Sequence, residues 1–194
     1  MITLIGDIHG HFVTYEKLIA NCQKTIQLGD FGVGFDDWVG FDIEPQHRFI
    51  RGNHDNPSVC KEHPNYLGDY GFLAEENIFY ISGADSIDKD DRTIDIDWWH
   101  DEQLSYQDLK AMMTLYGRVK PKTIISHDCP EEVFPYLHCP FHIKSRTQQA
   151  MNQLLTIHRP KYWIFAHYHL SCKQQIDNTL YTCLDTFETL EITV

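Results

Sequence analysis

Ile2-Thr3-Leu4-Ile5-Gly6-Asp7-Ile8-His9-Gly10 follows the first methionine of this 194-residue chain. Four apolar-leaning residues stopped by a glycine read as a short buried strand, with Asp7 and His9 in the polar loop behind it. Phe12 to Ala20 places Phe12, Leu18 and Ile19 among polar residues and predicts a first helix. Thr25 to Leu28 is a second short apolar strand, running into Gly29-Asp30. Strand, helix, strand is the order of a parallel sheet.

The same grammar recurs further along. Arg48 to Ile50 leads into Gly52-Asn53-His54-Asp55, Thr123 to Ile125 into Ser126-His127-Asp128, and Tyr162 to Phe165 into Ala166-His167-Tyr168-His169. Phe72-Leu73 and Ile78 to Ile81 flank the polar turn Glu75-Glu76-Asn77 and read as a hairpin that begins a second sheet. Ser105, with Asp108 three residues on, caps a helix carrying Leu109, Met112, Met113 and Tyr116, for which Gly117 is the expected C-terminal stop. Ser145 caps another helix reaching Ile157, and the chain closes in antiparallel strands with a turn near Asp177-Asn178. Residues 82 to 104 lack periodicity and read as a long surface loop.

Composition bounds the function. The 16 basic against 28 acidic residues leave a formal net charge of −12, which opposes an extended nucleic-acid track or adhesion to an anionic membrane but permits a tight phosphate pocket. The opening apolar run is too short for a signal peptide or a membrane span, so the expected location is cytoplasmic. Six cysteines without any C-x-x-C pair suit reduced thiols rather than a zinc ribbon or a disulfide framework. The length fits one domain over residues 1–194. Twelve histidines are more than such a domain needs, and metal ligation is the first explanation to test.

Loops at the carboxyl ends of strands meet in one crevice of an open α/β sheet even when they are far apart in sequence. Each short motif alone is weak. Together, and in this order, D-x-H at Asp7 and His9, G-D at Asp30, G-N-H-D at Asn53 to Asp55, His127, and H-x-H at His167 and His169 resemble the calcineurin-like metallophosphoesterase superfamily. The resemblance spans residues 6 to 169 and implies a four-layer αββα sandwich of two mixed sheets flanked by helices. It also implies two divalent metal ions: Asp7, His9, Asp30 and His169 would hold one, and Asp30, Asn53, His127 and His167 the other, with Asp30 bridging. Oxygen and imidazole ligands without thiolate suit manganese, iron or zinc better than magnesium, with manganese favoured.

On the same resemblance, the metals activate a bridging water for hydrolysis of a phosphate ester, and His54 is the general acid or transition-state stabiliser. Asp55 reads either as the carboxylate that orients His54 or as a turn-capping residue. In the 82–104 loop, Trp98 and Trp99 are candidate stacking residues for a flat leaving group, and Arg92 is a candidate grip on a distal phosphate. Arg51, before Gly52, resembles the protein Ser/Thr phosphatases, but Asp30 is followed by Phe31-Gly32 rather than by the Arg-Gly of that branch. His138, Cys139 and His142, interrupted by Pro140, read as a structural or solvated cluster.

The expected partner is a small phosphorylated substrate, a nucleotide-like ester among the candidates. The oligomeric state is not legible. Alternatives are a nuclease or cyclic-nucleotide phosphodiesterase of the same superfamily, and a non-catalytic binding scaffold. A scaffold should show eroded ligands, and here each expected residue is present.

Overall fold

In the computed structural model, which describes all residues except 36, 37, 39–41, 140–143 and 194, the opening stretch forms strand β1 (Ile2–Ile5), buried at every position. Helix α1 (Phe12–Ile19) follows, then β2 (Thr25–Leu28) and β3 (His47–Ile50). β1, β2 and β3 run parallel, and β10 (Thr189–Ile192) pairs antiparallel with β1 to complete a four-stranded sheet, β10-β1-β2-β3.

The second sheet has six strands in the order β4-β5-β6-β7-β9-β8. β4 (Tyr70–Leu73) and β5 (Ile78–Ile81) are the expected hairpin. β6 (Thr123–Ser126), β7 (Tyr162–Phe165) and β9 (Thr179–Cys183) continue parallel to β5, and β8 (Cys172–Ile176) closes the edge antiparallel to β9.

Alternation along the strands generates the layers. Ile2 and Leu4 face one way and Ile5 the other, and likewise Ile78 and Tyr80 oppose Phe79 and Ile81. Ile2, Leu4, Ile26, Leu28, Ile125 and Ile164 pack between the sheets. Ile5, Phe12, Tyr15, Phe31 and Phe49 join the first sheet to α1, and Phe79, Ile124, Trp163 and Phe165 join the second to α3 (Tyr106–Val119) and α4 (Arg146–Ile157). Three apolar seams make the four-layer αββα sandwich, and each fully buried Leu or Ile contributes about 1.5–3 kcal/mol to it.

Three local expectations are corrected. α3 does not stop at Gly117 but runs to Val119, where Lys120 adopts a left-handed conformation (φ 43°) and Pro121 blocks continuation. Gly117 instead lies against α4, where an added Cβ would stand 3.4 Å from Ile157 Cγ2. A six-residue helix, α2 (Pro57–Glu62), went unread: Asn56 caps it by accepting from the Ser58 and Val59 amides, with Pro57 at its first position. Residues 82–104 are not simply surface, because Ser82, Asp85, Ser86, Trp99, Glu102, Gln103 and Leu104 are buried.

Candidate metal centre

Asp7, Asp30, Asn53, His127 and His167 each follow the carboxyl end of a parallel strand, and the two sheets aim these ends at one crevice. The loops are tied to one another. The amides of Ile8 and His9 both donate to the Asp30 carbonyl, at 3.0 and 2.7 Å. The His54 amide donates to Asp30 Oδ1 at 2.8 Å.

The motif glycines have a steric cause. A Cβ on Gly52 would sit 2.1 Å from Asp30 Oδ1 and 2.7 Å from His127 Nε2, and one on Gly29 (φ 98°) 2.5 Å from His127 Nδ1. The His127 ring slots between these two backbones, and any side chain there would displace it. Ala166 needs no left-handed backbone, so its methyl group costs nothing in backbone strain.

Two groups of side chains meet around Asp30. Ligand-type atoms of Asp7, His9, Asp30 and His169 lie within 4.8 Å of one another, and so do those of Asp30, His127 and His167. Asp30 divides its oxygens between them: Oδ1 is 3.3 Å from His127 Nε2, and Oδ2 is 3.8 Å from His9 Nε2. His169 Nε2 stands 3.0 Å from Asp7 Oδ2 and 2.9 Å from His9 Nε2. Asn53 Oδ1 lies 3.2 Å from His127 Nε2, which adds it to the second group.

The donor set suits cations. His127 Nδ1 donates to the Leu28 carbonyl at 2.8 Å, so its Nε2 faces Asp30 Oδ1 and Asn53 Oδ1, two acceptors that need a proton or a cation between them and the ring. A proton serves in the metal-free protein: burial lowers the His127 pKa, but Asp30 and then Asp7 outweigh it and raise it to about 10. Burial, reinforced by His127, lowers His167 to about 3, so this ring is neutral. Its buried Nδ1 meets no hydrogen-bond partner. Burial opposes ionisation of Asp30, yet His127 and then His54 hold it well below the usual carboxylate range.

The backbone here is unusual. His9, Asp30, His167 and His169 have φ of 47°, 54°, 71° and 49°, a left-handed region that non-glycine residues seldom occupy and that gathers at functional sites.

Beside the cluster lies a cavity of about 380 Å³ lined in part by His54, Ile87, Asp88, Arg92, Tyr168 and His169. Arg92 stands at this cavity, with Nη2 2.8 Å from His54 Nε2 and Nε 2.8 Å from Asp88 Oδ1.

The tryptophans are not at the cavity. Trp99 is buried edge-on against Phe35 of the segment after β2, and Trp98 stands edge-on to His100, so packing has claimed both indoles. Nor does Asp55 orient His54. Its two oxygens accept from the amides of Phe31, Gly32, Val33 and Gly52, which makes it the buried clamp between the β2 and β3 loops. Arg51 is also directed elsewhere, to Asp69 at 2.9 Å and the Glu102 carbonyl at 2.5 Å. Of the His138, Cys139 and His142 group, His142 and the intervening Pro140 lie outside the described residues.

Several contributors went unread. Tyr168, between the paired histidines, donates to Asp128 Oδ1 at 2.6 Å and accepts from Gln148 Nε2 at 2.9 Å, pinning the H-x-H segment to α4. Ser86 and Glu102 support Asn53 from behind. Burial raises the pKa of Glu102, opposed first by its bonds from Ser86 and then by Trp98. Nothing in the sequence marks these residues, because the hydrogen bonds that link them to the site join positions 16 or more apart.

Among the described residues no helix is long and apolar enough to cross a membrane. Two solved structures are similar to the chain at low identity. One is a phosphopantetheinyl hydrolase from Mycobacterium tuberculosis, 12% identical, TM-score 0.45, with 95% of this chain and 90% of that one covered. The other is GAP50, the anchor in the inner membrane complex of Plasmodium, 9% identical, TM-score 0.43, with 94% and 70% covered. No curated protein sequence matches the chain. The sequence model of the calcineurin-like phosphoesterases matches residues 1–171, in which all the clustered Asp, Asn and His side chains fall, and the chain belongs to that family.

Proposed function

We propose that this protein is a dinuclear metal-dependent phosphoesterase. The observation that carries the reading is the division of the Asp30 carboxylate, one oxygen toward His127 and the other toward His9, at the junction of two overlapping groups of ligand-type atoms. Asp7, His9, Asp30 and His169 hold one ion, and Asp30, Asn53, His127 and His167 the other. When bound, two divalent ions, manganese favoured, supply positive charge for the phosphoryl oxygens and make water a usable nucleophile near neutral pH.

The chain's own residues do the rest. His127 surrenders the proton it carries in the metal-free protein, and the neutral His167 enters without needing to lose one. His54 lies on the cavity side of Asn53 and is the proton donor to the leaving oxygen. Its Nε2 accepts from Arg92, since a guanidinium has no acceptor, so that nitrogen can donate only after Arg92 moves off it and it has taken up a proton from solvent. An anionic group of the substrate draws Arg92 away and frees His54 in the same movement, which assigns Arg92 to substrate binding. A small phosphorylated substrate suits a cavity of this size.

The test is elemental analysis after manganese loading, combined with a panel of phosphomonoesters and phosphodiesters. Two ions per chain and metal-dependent turnover are expected. Protein that takes up no transition metal and hydrolyses nothing in the panel overturns the reading, and the panel itself separates monoesterase from diesterase or nuclease activity.

A further inference from the structure

Asn53 is the only amide among the proposed ligands, and an amide, unlike a carboxylate, has a wrong way round. Its Oδ1 serves a cation only if its NH₂ is held away from the site. Asn53 Nδ2 donates to Ser86 Oγ at 3.0 Å. Ser86 Oγ donates to Glu102 Oε2 at 2.6 Å, and the Ser86 amide donates to Glu102 Oε1 at 2.9 Å. All three residues are buried, with 2% or less of their surface exposed.

Hydrogen counting fixes the direction of this chain. A carboxylate only accepts, so the single hydroxyl hydrogen of Ser86 goes to Glu102. The Ser86 oxygen can then offer Asn53 only lone pairs, and Asn53 must present its NH₂ to Ser86 and its carbonyl to His127. The chain is held in place from both sides: Gly83 N donates to the Arg51 carbonyl at 2.8 Å, and Arg51 Nη1 donates to the Glu102 carbonyl at 2.5 Å. We infer that Glu102, acting through Ser86, is a positioning residue that sets the orientation of the Asn53 amide and thereby the affinity of the one ion that Asn53 serves. The inference rests on the ligand assignment proposed above.

Glu102→Gln is the discriminating change, because a glutamine Nε2 can donate to Ser86, which turns the Ser86 hydrogen toward Asn53 and favours the flipped amide. In manganese titrations of metal-free protein, followed by calorimetry and by elemental analysis, E102Q should bind one ion as the unaltered protein does. The other should bind about 10- to 100-fold more weakly, the usual effect of losing a partner that orients a ligand. The double variant Asn53→Asp with Glu102→Gln should restore two tight ions, since an aspartate only accepts and matches the reversed chain. A merely structural role would not produce that rescue.

If E102Q does not fold, Ser86→Ala is the substitute and should weaken the same single ion. Two ions bound by E102Q, or by S86A in its place, as tightly as by the unaltered protein overturns the inference and leaves the phosphoesterase reading intact. So does equal weakening of both ions that N53D fails to relieve. An unaltered protein that binds fewer than two ions overturns both.

Discussion

The crevice at the strand ends and the segment 82–104 meet at Asn53, yet they are built on different principles. In the crevice, polar side chains converge on one another: Asp7, Asp30 and the histidines stand 2.9–3.9 Å apart with little to separate them. In the segment, polar side chains are consumed by the segment itself. Asp85 takes Lys89 and Gln103, Glu102 takes Ser86, and Asp88 takes Arg92. A site that waits for a ligand leaves its acceptors facing each other, whereas a supporting element pairs every acceptor with a donor. The comparison teaches that polarity alone does not identify a site; unresolved pairing does.

The largest effect should come where the two proposed ion-binding groups share a residue. Asp30→Asn removes the negative charge common to both and is expected to empty both of metal and abolish turnover, while Asp7→Asn should affect mainly one, as read by elemental analysis. Retention of two ions by D30N would break the comparison at its centre.

Next, His54→Ala should keep both ions and lower turnover by about 10²–10⁴, the range for a positioned proton donor. Full activity on an ester with a poor leaving group would remove His54 from that role.

These two expectations rest on residues that were legible from sequence, and the reason is local. A short apolar strand, a small residue (Gly6, Gly29, Gly52, Ser126 or Ala166) and a polar residue lie within about six positions, and five such units fix both the sheet ends and the residues on them. The roles of Asp55, Trp98 and Trp99 were not legible, because each depends on a partner brought by folding: the amides of Phe31, Gly32 and Val33 for Asp55, Phe35 for Trp99. Helix α2 escaped notice because six residues are too few to show a helical period, although Asn56-Pro57 carries a capping signal.

The segment supplies the third test. Trp99→Ala should destabilise the fold by about 3–5 kcal/mol, as for other buried large aromatics, and the partly exposed Trp98 by less. In whatever protein folds, KM for nucleotide-like esters should not change, because neither indole lines the cavity. A raised KM in a folded variant would return these residues to substrate recognition and blur the distinction between the two regions.

The smallest effect concerns pH. His127 has its pKa raised in the folded metal-free protein, to about 10, so its contribution to stability is complete below about 6.5 and is lost as pH rises toward 10. Melting temperatures of metal-free protein should therefore fall across that interval, on the order of 2–4 °C per kcal/mol lost. Metal-loaded protein should lack this component, since the ion stands where the proton stood. Identical alkaline profiles with and without metal would show that His127 is not a site where the two compete.

The left-handed backbone at His9, Asp30, His167 and His169 also limits how this centre could be retuned. Histidine, aspartate and asparagine are the non-glycine residues that tolerate that conformation best, and they are all hard or borderline donors. A cysteine introduced at any of the four would have to carry the backbone penalty as well as the change of ligand. Exchange among His, Asp and Asn adds little backbone strain by comparison, whatever it does to the charge at the site. The loop conformations thus favour drift among metals that accept oxygen and imidazole, and set a conformational barrier against thiolate sites, whatever the selective advantage of a softer ion.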